Sequence, residues 1–176
     1  MVTVSTLVER AGCDIRCVPL KQTPGPPALP EPRLRVAELA PVEGDPYPEI
    51  AWGDHFFYHA PDGQVPRNEQ PYATIVTKNY PGDTVCELDA PGRWRLNIRV
   101  DRRRFTTLLG AEPRIAPDPA DWTATDVLLP HPVHRAQGWV AITEPGPRTM
   151  SLAVDLLREA HDAAGRRARR RTGAQS

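Results

Sequence analysis

His131 and His134, set in HPVH shortly before Trp139, are the residues whose chemistry is easiest to name. Imidazole changes charge near neutral pH, so His131 beside an acid could give or take a proton in a reaction. A histidine before proline at a loop-to-strand junction also serves as a hydrogen-bonded structural residue, and that reading competes with the first. His134 could share a metal with His131, but the intervening proline rules against a helical two-histidine site. Asp54 opens one strand-like run and Lys78 closes the next. On a common rim they would supply a carboxylate that orients or accepts a proton and an ammonium that stabilises developing negative charge. Whether they meet depends on strand register, which the sequence leaves open. Arg93, Arg95 and Arg99 form a third set: guanidinium groups offer planar paired donors to phosphate or carboxylate, yet such a row also keeps a half-exposed strand soluble.

Other chemistries have less support. Neither GxxxxGK[ST] nor GxGxxG occurs, and GxSxG is missing, so phosphate-binding glycine loops and the usual α/β-hydrolase nucleophile have no sequence basis. Three cysteines, Cys13, Cys17 and Cys86, are an odd number without a secretory signal, which argues against a disulfide framework. Cys13 and Cys17 lack the two further ligands that a zinc site needs. No metal and no cofactor are expected. No run of 18 apolar residues occurs, so no membrane span and a cytoplasmic location are expected.

Charge narrows the partners. The chain of 176 residues balances 22 basic against 22 acidic groups, but RRARRR at 166–171 holds five of the basic ones, so the remaining body is at −5. Phosphate contacts dominate nonspecific nucleic-acid affinity, and an acidic body with a basic end is a poor groove reader. Nucleic acid is therefore unlikely as a partner except through that basic end, read here as a tail over 166–176.

The elements that must position these residues come from pattern. The length suits one domain, and 21 prolines must collect in loops and arms. A short helix fits residues 3–11 and a proline-rich arm or linker follows, so 1–32 reads as an N-terminal arm and 33–165 as the domain. Strand-like runs lie at 33–39, 54–59, 73–78, 93–100 and 138–143. In 93–100, Trp94, Leu96, Ile98 and Val100 alternate with Arg93, Arg95, Asn97 and Arg99, which predicts an antiparallel sheet covered on one face, with the arginines exposed. Asp101 can cap a short helix ended by Gly110, and residues 150–164 carry a helical apolar stripe. The fold class is α+β: a single antiparallel sheet backed by helices on one face.

PEIAWGDHFFYHAPDG, ATIVTKNYPGD, LDAPGRWRLNI and HPVHRAQGWVAITEPG, in that order over residues 48–164 with gaps, resemble an actinobacterial domain-of-unknown-function family. A more distant similarity is to the YjbR-like, or double-wing, fold. The family resemblance sets Trp52, Asp54, Lys78, Asn97, His131 and Trp139 at matching positions, whereas His134 and Ala90 depart from its Tyr and Arg. It implies a fold without implying a reaction; YjbR-like domains have been proposed to bind DNA on structural grounds.

The expected function is binding of a small organic ligand on the open sheet face or rim, with Trp52, Tyr58, Asn97 and Trp139 lining the site. On this reading His131, Asp54 and Lys78 are the residues for acid-base work, in an enzyme or in an accessory protein of specialised metabolism. Two alternatives stand beside it: a DNA-binding module using Arg93, Arg95, Arg99 and the basic tail, and a protein-interaction domain docking through the proline-rich arm. Oligomeric state is not legible.

Overall fold

A computed structural model describes residues 36–173. The expected helix at 3–11, the proline-rich arm, Cys13 and Cys17 lie outside the described residues. Six strands form one antiparallel sheet in the order β1-β2-β3-β4-β6-β5: β1 Val36–Leu39, β2 His55–His59, β3 Ala73–Val76, β4 Arg95–Arg99, β5 Leu128–Pro130 and β6 Trp139–Thr143. Two helices, α1 Arg102–Leu109 and α2 Met150–Gly173, contribute to the main core. The α+β class with a single antiparallel sheet is as the alternation implied.

One face of the sheet is apolar. Leu96 and Ile98 of β4, Ile75 of β3, and Val140 and Ile142 of β6 meet Phe105 of α1 and Ala153, Leu156 and Leu157 of α2, all nearly or fully buried. At about 25 cal/mol per Å2, removal of this surface from water is the main stabilising term. Helix α1 starts where Asp101 accepts a hydrogen bond from the Arg104 amide at 2.7 Å, and stops at Gly110, whose φ of 73° is left-handed. Helix α2 is capped from afar: the Asp126 carboxylate accepts from the amides of Gly146, Arg148 and Thr149 and from the Thr149 hydroxyl. Burial pushes the Asp126 carboxyl up, but these donors outweigh it and hold it well below the usual carboxylate range. Gly138 enters β6 at φ 82° with its Cα so close to the Val100 carbonyl that a Cβ would lie 2.5 Å from the oxygen.

Two expectations need correction. The second face of the sheet is not open at Arg95, which is 2% exposed. Residues 77–93 fold back over this face, and their Tyr80, Cys86 and Leu88 pack with Val76 as a second, smaller apolar cluster. The two-residue period correctly separates Arg95 from Leu96, but it cannot show that a loop will cover the polar side. The basic run is the other correction. Residues 166–171 lie within α2 and are not a frayed tail, because Ala160, Ala164 and Gly165 keep the helix seated on the sheet well past residue 160.

Strand β5, with its terminal proline, was not anticipated; three residues on a sheet edge leave too little periodicity to read.

Candidate functional site

Most of the residues singled out from sequence fall into two groups joined by one turn, with Tyr58, Arg93 and Arg99 outside both. In the first, Asp54 is fully buried at the start of β2. Its Oδ1 accepts from the Thr77 amide at 2.8 Å and the Thr77 hydroxyl at 2.9 Å, and its Oδ2 accepts from the Tyr80 hydroxyl at 2.5 Å. Lys78 Nζ lies 3.5 Å from Asp54 Oδ1 and donates to the carbonyls of Ile50 and Trp52. Asp54 and Lys78 therefore meet, as register permits, but their polar atoms serve to tie residues 50–52 to residues 77–80. Burial, and then the Asp54 hydrogen bond and charge, push the Tyr80 phenol well above its ordinary value. Trp52 is partly exposed, with its indole nitrogen buried and without a hydrogen-bond partner among the described residues.

The second group centres on Arg95. Its guanidinium forms a paired contact with Asp83, at 3.0 and 2.6 Å, while Nε donates to Asn97 at 2.8 Å and Nη1 to Cys86 Sγ at 3.2 Å. Asn97 in turn donates to the Thr74 hydroxyl at 3.0 Å. Burial raises the Asp83 carboxyl, but the Arg95 hydrogen bond and charge outweigh it and hold the group below its ordinary value. His131 is 4% exposed, with Nε2 3.5 Å from Arg95 Nη2. Its Nδ1 accepts from the amides of Val133 and His134 at 3.1 and 3.2 Å, which fixes the proton of the neutral ring on Nε2. Burial, then the Arg95 charge, pulls His131 down to about 3. It stays neutral at pH 7 and braces the HPVH turn; Trp139 lies edge-on to it at 6.5 Å.

The turn from Tyr80 to Asp83 links the groups: Tyr80 holds Asp54 at one end and Asp83 holds Arg95 at the other. Tyr58 lies on β2, nearly buried, and burial followed by Tyr47 raises its phenol. Arg93 donates to the Thr123 carbonyl at 2.7 Å.

Surface cavities open elsewhere among the described residues. One of about 460 Å3 opens between α2 and the segment from β4 into α1, lined by five arginines, Arg99, Arg102, Arg104, Arg166 and Arg167, and three acids, Asp101, Glu159 and Asp162. Its floor includes Val100, Ala160 and Ala163. Arg104 is held by Glu159 at 3.0 Å and Arg102 by Glu112 at 2.5 Å. Among the described residues no ion pair holds Arg99, Arg166 or Arg167. Burial, then the charges of Arg99 and Arg171, lowers the Arg167 guanidinium from its ordinary value, although it stays charged at neutral pH. A further cavity of about 140 Å3 shares Arg99 and Arg167 with the first and adds Arg171, His59 and Glu69. Sequence reasoning named Arg99 as part of a strand face and the α2 arginines as a tail. Helical spacing of Ala160, Ala163 and Ala164 beside Arg166 and Arg167 was the signal that could have joined them. Among the described residues no cluster of three or more histidine, cysteine or acidic groups is arranged to hold a metal. No described helix is long and apolar enough to cross a membrane.

Residues 30–173 match the model of a family described as a family of unknown function, DUF6194. No curated protein and no solved structure matches the chain.

Proposed function

We propose that this chain, which belongs to the DUF6194 family of unknown function, binds a small anionic organic molecule in the arginine cleft between α2 and the β4–α1 junction. The observation that carries the reading is the convergence of Arg99, Arg166 and Arg167, without ion-pair partners among the described residues, on a cavity of about 460 Å3. That size is within the range of small-molecule sites, roughly 300–1,000 Å3. Three guanidinium groups pressed together repel one another, and an anion placed among them relieves the repulsion while accepting paired hydrogen bonds. Val100, Ala160 and Ala163 offer an apolar floor to the uncharged part of the ligand.

This keeps the small-molecule expectation and moves its site. The His131, Asp54 and Lys78 side chains support a positioning role: their hydrogen-bonding atoms anchor loops, and His131 is a neutral imidazole, without the second ring proton an acid would donate, at neutral pH. The YjbR-like relation is part of the same proposal, supported by an antiparallel sheet whose RLNI strand runs into a helix.

A nucleic-acid reading draws on one observation, that the arginines of 166–171 are ordered in α2 beside Arg99. The acidic body and the burial of Arg95 weigh against it. The test is a calorimetric titration of the full chain with inorganic phosphate, with a panel of phosphate- and carboxylate-bearing metabolites, and with a short DNA duplex. Saturable binding of a small anion that is lost in Arg99→Ala/Arg166→Ala supports the cleft. Duplex binding with a steep salt dependence and no small-anion binding would replace it with the nucleic-acid reading.

A further inference from the structure

Helix α2 faces the two arginine cavities with different stripes. Ala160, Ala163 and Arg166 follow one another at helical spacing along the larger cavity, and Ala164, Arg167 and Arg171 along the smaller. Arg167 stands on the boundary and lines both, as does Arg99 from the end of β4. The wall between the cavities therefore includes two guanidinium groups, each bordering both sides. Alanines at 160, 163 and 164 keep the helix surface low where longer side chains would fill both spaces. In the smaller cavity one carboxylate, Glu69, contacts Arg171 at 3.3 Å and is outnumbered by Arg99, Arg167 and Arg171.

Resting on the anion-binding reading above, we infer that the ligand carries two linked phosphoryl groups, one in each cavity, with Arg99 and Arg167 shared between them. The smaller cavity, about 140 Å3, has room for a terminal phosphoryl group and little more. The larger takes the inner phosphoryl group and the organic remainder against Val100 and the alanines. A single phosphate can use only one side of this wall; a diphosphate uses both and presents its charges to four arginines, Arg99, Arg166, Arg167 and Arg171. Glu69 then acts as the stand-in anion that holds Arg171 until the terminal group displaces it.

The experiment is calorimetric titration of the full chain with inorganic phosphate, pyrophosphate and ADP, the last serving as a generic organic diphosphate. Pyrophosphate is expected to bind at least 10-fold more tightly than phosphate. Arg171→Ala, which alters only the smaller cavity, should remove most of that advantage while leaving phosphate affinity within about twofold; Glu69→Gln should strengthen pyrophosphate binding. ADP binding tighter than pyrophosphate identifies an organic diphosphate as the occupant, and pyrophosphate binding with no ADP binding overturns the assignment of the larger cavity to an organic remainder. If phosphate binds and pyrophosphate is no tighter, the two-group inference fails while the cleft reading stands. If none of the three binds, the two-group inference fails, and the cleft reading fails with it only if the carboxylate-bearing metabolites do not bind either. Unchanged melting temperatures for both variants show that the effects come from the cavities.

Discussion

Arg95 and Arg99 belong to the same alternating set of one strand, yet one is enclosed among acceptors and the other, half-buried, borders two cavities. Arg95 meets a paired carboxylate, an amide oxygen and a thiol within hydrogen-bond distance, all inside residues 83–97. Arg99, at the end of β4, borders the same two cavities as Arg167. The difference lies in what the neighbouring segment supplies. Residues 77–93 bring Asp83 and Cys86 over Arg95, whereas α2 brings further arginines beside Arg99. A buried cation paired with a carboxylate, with four of its five donors matched, is architecture; a cluster of cations short of acceptors is a place for a ligand.

The largest effect that would test this contrast comes from removing the partner of the buried arginine. Asp83→Ala leaves the Arg95 charge enclosed without its carboxylate, and breaking such a pair costs about 3–5 kcal/mol. Urea unfolding should show that loss; a change under about 1 kcal/mol would mean that the Arg95 group is open to water after all.

Acid should also separate the regions. His131 and His161 are both held below the ordinary histidine value, His131 at about 3 by burial and then Arg95, and His161 at about 4 by burial and then His59, with Asp162 opposing. Between these values and about 6.5 the unfolded chain binds the protons that the folded chain refuses, so stability is complete above that window and falls as pH drops through it. The slope is about 1.4 kcal/mol per pH unit for each histidine involved. Asp83, held low by Arg95, adds to the loss at still lower pH. His161→Phe should flatten part of this slope in pH-dependent melts. An unaltered slope would show that the His59–His161 pair, whose rings lie 4.9 Å apart, is solvated at the pH of unfolding.

The smallest expected effect is the sharpest comparison. Arg99→Ala should change stability by no more than about 0.5 kcal/mol, as for a surface position without partners. A destabilisation near that of Asp83→Ala would place Arg99 among the structural residues and remove it from the cleft.

Much of the site chemistry was present in the residues without its arrangement. Asp54 and Lys78 do meet, because β2 and β3 pair as a hairpin with Phe56 opposite Thr74. His131 joins a different group, since its proximity to Arg95 follows from β4 pairing with β6, which the sequence does not encode locally. Asp83 and Cys86 were not singled out as partners of Arg95, nor Thr74 as the partner of Asn97: Thr74 lies on the neighbouring strand, and the other two lie in an irregular loop where no period points to a face. Arg166 and Arg167 were visible only as charge, because a terminal basic run reads alike whether helical or free.

Local sterics and one-dimensional periodicity are enough for the α+β class, the alternation of β4, the Asp101 and Gly110 boundaries of α1 and the apolar stripe of α2. Which arginine is buried and which borders a cavity is set by the fold as a whole. That choice depends on long-range contacts: residues 77–93 folding onto one part of the sheet, and α2 running far enough to set Arg166 and Arg167 beside Arg99. A guanidinium becomes structural or ligand-binding according to the acceptors around it, and those acceptors come from segments distant in the chain.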